Sequence, residues 1–164
     1  MAALTPGKKA PAVSLKDTNG QKKSLADALK NGPVVLAFFK VTCPVCQFTF
    51  PFIERIYETF GSSKFTVWGI SQDDARDTRD FLKEYGIQFP VLIEEDGYAV
   101  SNQYGITNVP TLFLISPDGE IQVSSVGFEK DALEEIASEA ARATQKPALP
   151  VFKPSEVIPA YKPG

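Results

Sequence analysis

The stretch that most constrains this chain is the apolar run Val34–Phe39, followed after Lys40-Val41-Thr42 by Cys43-Pro44-Val45-Cys46. An unbroken apolar run of this length reads as a strand buried on both faces of a sheet. Beyond the cysteines, Phe48, Phe52, Ile53, Ile56, Tyr57 and Phe60 recur at helical spacing, and Gly61 closes the run. A buried strand therefore feeds straight into a helix, with Cys43 at the helix N-terminus. The free backbone N–H groups and the helix dipole favour a thiolate there. Pro44 suits the first helical position, where its missing N–H costs nothing. Cys46 lies one turn on, within disulfide reach of Cys43.

The chain has only these 2 cysteines and no histidine. A zinc site needs about four Cys or His ligands, so a metal clip would require a second pair from another copy, and no metal is expected. Imidazole-based catalysis and haem ligation are excluded. A bridge closing so short a loop removes little unfolded-state entropy, which argues against a purely structural disulfide. A redox couple remains, with no cofactor beyond the Cys43–Cys46 disulfide. Cys43 is expected to be the exposed nucleophile, and Cys46, more buried, the resolving thiol.

The rest of the sequence describes the frame. At 164 residues and 43% hydrophobic, it is long enough for one well-packed domain. A net charge of −3 gives no sign of a nucleic-acid surface or a polybasic membrane patch. The longest apolar run falls far short of the roughly 20 residues that span a bilayer. No apolar leader with a cleavage site is visible, so the cytoplasm is the default compartment, with an extracytoplasmic place left open. Asn19-Gly20 marks an N-terminal β-hairpin, "LADALK" a short helical turn, and "FTVWGI" a second buried strand. "DDARDTRDFLKEYG" reads as a helix started by Asp73-Asp74, "FPVLIEE" as a third strand, and "GYAVSNQYG" as a helical connector. Two strands flank the turn "SPDG", and "EKDALEEIASEAARA" is an amphipathic helix. The alternation predicts an α/β fold, a central mixed sheet with helices on both faces. Residues 1–146 form the domain; residues 147–164, with five prolines, read as an extended Pro-rich tail packed on its own body or partly disordered.

"VVLAFFKVTCPVC" followed later by "VPT" resembles the thioredoxin fold and its C-x-x-C active site. The resemblance implies that Pro51 kinks the active-site helix, and that Pro110 is cis and faces the disulfide. It also implies that the backbone of Val109 binds an extended substrate. The frame "GKKAPAVSLKDTNGQKKSLAD" with the insertion "SQDDARDTRDFLKEYGIQFPVL" is similar to the redoxin branch, which holds the TlpA/ResA-like thiol-disulfide oxidoreductases and the AhpC/TSA peroxiredoxins. That similarity runs over roughly residues 6 to 143. Peroxidases of the branch carry Thr or Ser three residues before the reactive cysteine and an Arg before the late strand; here Cys43 and Pro110 stand in those places. Disulfide exchange is favoured over peroxide reduction, and a non-catalytic redox-sensing or binding module is the remaining alternative.

Several tuning residues depart from thioredoxin. Thr42 replaces a Trp, Ala37 replaces a buried proton-transferring Asp, and Pro-Val between the cysteines is nearer to glutaredoxin. Lys40 stands where glutaredoxins contact glutathione, but reads first as a surface charge that favours the Cys43 thiolate. The expected partners are a protein disulfide and an external thiol reductant or oxidant, acting on a monomer or weak dimer.

Overall fold

The side chains of Val34, Leu36 and Phe38 point to one side of a sheet and those of Val35, Ala37 and Phe39 to the other, and all are buried. This period-2 alternation inside an all-apolar run requires cover on both faces, and the structure supplies it. The structure, a computed structural model, describes residues 2–94 and 97–164. Its elements are β1 (Ser14–Asp17), β2 (Lys22–Ser24), α1 (Leu25–Leu29), β3 (Val34–Phe39), α2 (Pro44–Phe60), β4 (Thr66–Ser71) and α3 (Ala75–Tyr85). They continue with β5 (Val91–Ile93), α4 (Ala99–Gln103), β6 (Thr111–Ile115), β7 (Ile121–Val126), β8 (Phe128–Glu129), α5 (Lys130–Thr144) and β9 (Tyr161–Lys162).

The main sheet has the order β2-β1-β5-β4-β3-β6-β7. Strands β3, β4 and β5 run parallel, while β1 and β6 pair antiparallel with this centre, so the sheet is mixed as the sequence predicts. On one face Val35, Ala37 and Phe39 meet Ile53 and Ile56 of α2, Phe81 of α3 and Leu133, Ile136 and Ala140 of α5. On the other, Leu36 and Phe38 meet Leu25 of α1, Val100 of α4 and Tyr104 at the end of α4. Trp68 belongs to this second face, whereas Cys46 packs into the first. Among the described residues no helix is long and apolar enough to cross a membrane.

Turn chemistry at the hairpins follows the sequence. The Asp17 carboxylate accepts the N–H groups of Asn19 and Gln21, closing the β1–β2 reversal. Ser116 and Gly119 close the β6–β7 turn through a backbone bond of 2.8 Å. The expected strand "FPVLIEE" is shorter than the sequence suggests. Only Val91–Ile93 is strand; Glu94 has its carboxylate turned to the N–H and hydroxyl of Ser101, and Glu95 lies outside the described residues.

Helix α2 is fixed along the middle of its buried face. Phe50 stacks against Phe39, Phe81 and Phe89, and Glu54, although acidic, is buried. One Glu54 oxygen accepts the N–H groups of Gln88 and Phe89, tying the helix to the approach of β5. Pro51 stands within α2, and the helix continues past it to Phe60.

Residues 147–164 lie along the body. Val151 is buried, and Phe152 packs against Phe52 and Phe128. Arg55 of α2 grips the Glu156 carboxylate through two bonds of 2.8 and 2.7 Å. Further on, β9 pairs antiparallel with β8, Phe128 opposite Lys162 and Glu129 opposite Tyr161.

Candidate active site

Strand β3, central in the sheet, ends at Phe39, and at the C-terminal end of the parallel strands Lys40-Val41-Thr42 turns into α2. Both sides of this short loop are fastened. The Val41 N–H donates to the Asp73 carboxylate at 2.8 Å, and the Val41 carbonyl accepts from the Gln47 amide at 3.0 Å. Cys43 then sits in an extended conformation as the N-cap of α2, and Pro44 opens the helix. The N–H of Cys46, unpaired within the helix at that depth, donates to Cys43 Sγ at 3.2 Å. Thus Cys43 caps its own helix with sulfur, where a Ser or Asp would use oxygen.

The two thiols differ in setting. Cys43 is partly exposed, whereas Cys46 is 0% exposed, and both are free. Burial pushes the Cys46 thiol well above its ordinary 9.0; its contact with Cys43 and the charge of Asp73 add to this, while the backbone of Lys40 opposes it. The pair therefore has one accessible sulfur and one that gives up its proton reluctantly.

Opposite Cys43 runs the loop before β6. The Val109–Pro110 peptide bond is cis, and Cys43 Sγ donates to the Val109 carbonyl at 3.4 Å. Pro110 is buried and Val109 partly so. Lys40, Gln72, Asn108, Val109 and Gly164 surround Cys43 in an open cleft of about 280 Å³. Lys40, Thr42 and Pro44 are exposed in the chain around Cys43, and Phe48 follows one turn beyond on α2. The residues singled out in the sequence thus converge on one place, apart from Pro51, which lies further down the helix.

Three further contributors have no clear mark in the sequence. The pair Asp73-Asp74 reads as a helix start, but Asp74 alone does that work, its carboxylate accepting the Asp77 N–H at 2.8 Å. Asp73 instead reaches the loop before Cys43. Only one member of an adjacent acid pair can occupy an N-cap, and that is the available signal. Gln47 follows the motif without any pattern of its own. Gly164 reaches the cleft from the distant tail, which no local pattern encodes.

Comparison with known proteins agrees with the fold. The AhpC/TSA family matches residues 6–124. The thiol-disulfide oxidoreductase ResA of Bacillus subtilis is 32% identical over 120 residues, which are 73% of this chain and 66% of that protein, just under two thirds of its length. The ResA of Bacillus anthracis is 31% identical over 130 residues, 78% of this chain and 74% of that one. Among solved structures, a thiol:disulfide interchange protein of the thioredoxin family from Chlorobium tepidum superimposes with a TM-score of 0.69 at 28% identity, over 85% of this chain and 99% of that one. The thioredoxin domain of a thiol-disulfide oxidoreductase from Bacteroides vulgatus gives 0.71 at 27% identity, over 80% and 94%.

Proposed function

Because the chain belongs to the AhpC/TSA family, with ResA proteins among its relatives, we propose that it is a thiol-disulfide oxidoreductase worked by Cys43 and Cys46. The observation that carries this reading is the asymmetry of the pair: an accessible Cys43 sulfur held by a helix N–H at 3.2 Å, with Cys46 wholly buried one turn below.

The Cys43 thiolate attacks one sulfur of a substrate disulfide, and the other sulfur leaves as a thiolate that takes up a proton. The N–H of Cys46 stabilises the attacking anion through a charge-assisted hydrogen bond. In the mixed disulfide, Cys46 gives up its proton and attacks Cys43 Sγ, and the second substrate sulfur departs as a thiol. Two electrons and two protons have passed to the substrate, and the chain holds a Cys43–Cys46 disulfide. An external thiol reductant restores the dithiol by the same steps reversed; an oxidant partner would run the cycle the other way. Val109, whose carbonyl already faces the reacting sulfur, offers backbone to an extended protein substrate. Lys40 and Thr42 line the approach.

Insulin reduction by the chain in dithiothreitol tests the assignment. Cys43→Ser should abolish turnover, and Cys46→Ser should accumulate mixed disulfides separable on a non-reducing gel. Full turnover by Cys43→Ser would overturn it. Rapid stoichiometric oxidation of the reduced chain by peroxide would instead favour thiol peroxidase chemistry.

A further inference from the structure

Following the tail toward Gly164, its attachment changes character. The upstream part is firmly held by buried Val151, by Phe152 against Phe52, and by the Arg55–Glu156 pair. Past Glu156 the hold weakens: Val157 is 98% exposed and Tyr161 is 54% exposed. What fastens this last part is partly buried Ile158 against the core, a bond from the Lys130 N–H to the Ala160 carbonyl at 3.0 Å, the two-residue pairing of β9 with β8, and the Lys162 ammonium 4.8 Å from the centre of the Phe48 ring. A two-stranded ribbon of such length is marginal by itself.

Yet this lightly held part runs directly into the cleft. Gly127, which donates to the Pro110 carbonyl at 2.7 Å, lies so close to the tail that a Cβ on it would collide with the Lys162 carbonyl. Gly164 packs against the backbone of Val109 itself: a Cβ on Gly164 would overlap the Val109 carbonyl oxygen and stand 3.4 Å from the Pro110 nitrogen. Its carbonyl is 3.5 Å from the Asn108 amide. The edge beside Cys43 that an extended substrate would use is therefore already in contact with the chain's own extended backbone.

We infer that the segment Tyr161–Gly164 is a displaceable strap across the substrate edge at Val109, hinged after the core-packed Ile158, and that it competes with extended protein substrates while leaving Cys43 open to small disulfides. Local opening needs few contacts to break where burial is slight, which is the condition of β9. Displacement retains the upstream anchors, so the strap stays tethered at high effective concentration and closes again after product leaves. This device rests on the reading of Val109 as the substrate edge.

The test compares the full chain with a variant lacking residues 161–164. Each, fully reduced, is mixed with a small aromatic disulfide and, separately, with a linear peptide carrying a cystine bridge to a second peptide. Strap removal should speed the peptide reaction at least threefold more than it speeds the small-disulfide reaction; equal effects on the two would overturn the strap. Lys162→Ala, which removes the side chain that sets its ammonium over Phe48 and keeps the β9 backbone, should give part of the same acceleration, so the result does not hang on the truncation alone. A synthetic peptide of residues 158–164 added to the truncated variant should slow the peptide reaction again. An unchanged or slower peptide reaction after truncation would overturn the strap. Loss of reaction with the small disulfide in every form would overturn the dithiol chemistry instead.

Discussion

The Asp73 carboxylate accepts the N–H of Val41 at 2.8 Å, across thirty-two positions of sequence, and so pins the loop that presents Cys43. The same charge raises the Cys46 thiol, adding to the larger effect of burial. Two substitutions separate these roles. Asp73→Ala loses both bond and charge, and should slow Cys43 attack on a disulfide by about tenfold, the order expected when a reactive group is misplaced by less than an ångström. Asp73→Asn keeps an acceptor for Val41 and should leave that rate nearly unchanged, yet lower the pH at which Cys46 ionises. Ultraviolet titration of the Cys46 thiolate in a Cys43→Ser background reads the second effect. A Cys46 titration left unmoved by Asp73→Asn in that background would remove the electrostatic role.

How the sequence announced this site, and where it fell silent, follows from the range of the interactions. Cys43, Pro44 and Cys46 act through one helical turn, and the period-2 pattern of Val34–Phe39 acts within one strand, so both are legible locally. The alternation of helices with buried strands foretold a mixed sheet covered on both faces, and the resemblance supplied Val109 and Pro110. Contacts that join distant segments carry no such pattern. The Asp73 bond to Val41 looks like part of a helix start, and Glu54 looks like an exposed helical acid until the fold brings Gln88 and Phe89 to it. Trp68 reads as core and is core, but on the sheet face opposite Cys46. The tail's proline content announced extension, not its path to Gly164.

Glu54 is a buried acid with one oxygen satisfied by two N–H groups and Oε2 without a hydrogen-bond partner among the described residues. Burial holds its carboxyl above the ordinary 4.5; the Gln88 and Phe89 N–H groups oppose this, and Glu58 one turn on reinforces it. A raised folded value means the native state binds this proton more tightly than the unfolded chain. Its contribution is therefore most favourable below about pH 4.5 and declines as pH rises through the folded value. Glu54→Gln keeps an acceptor for both N–H groups and has no proton to lose. The variant should melt above the parent at about pH 8, with the difference shrinking toward about pH 4, as thermal melts at the two values would show. Lower stability of the variant at the higher pH would contradict this.

Phe50 is fully buried between Phe39, Phe81 and Phe89, where α2 meets the sheet and α3. Phe50→Ala should cost about 3–5 kcal/mol, from lost transfer energy and the cavity left in a rigid aromatic cluster. Urea unfolding measures it. Since Phe50 lies one turn beyond Cys46, the same cavity should loosen the resolving thiol, and buried Cys46 should alkylate faster in this variant than in the parent. A destabilised variant with unchanged Cys46 protection would show that the N-terminal turn of α2 is held independently.

The upstream anchor of the tail depends on pH in a direction fixed by Glu156. Arg55 first, then the Lys153 N–H, draw its carboxyl from an ordinary 4.5 down to about 2. A depressed folded value places this contribution fully above about pH 4.5 and removes it as pH falls from there toward about 2. Amide protection factors, which divide out the intrinsic pH dependence of exchange, should therefore hold steady at Lys153 and Glu156, whose N–H groups close this turn, from about pH 7 to about pH 5 and fall below that. Glu156→Gln loses the ionic grip at every pH. Its protection in this segment should be low and flat, matching the parent only in strong acid. Equal protection of parent and variant at neutral pH would mean that Val151 and Phe152 hold the tail without the Arg55 pair.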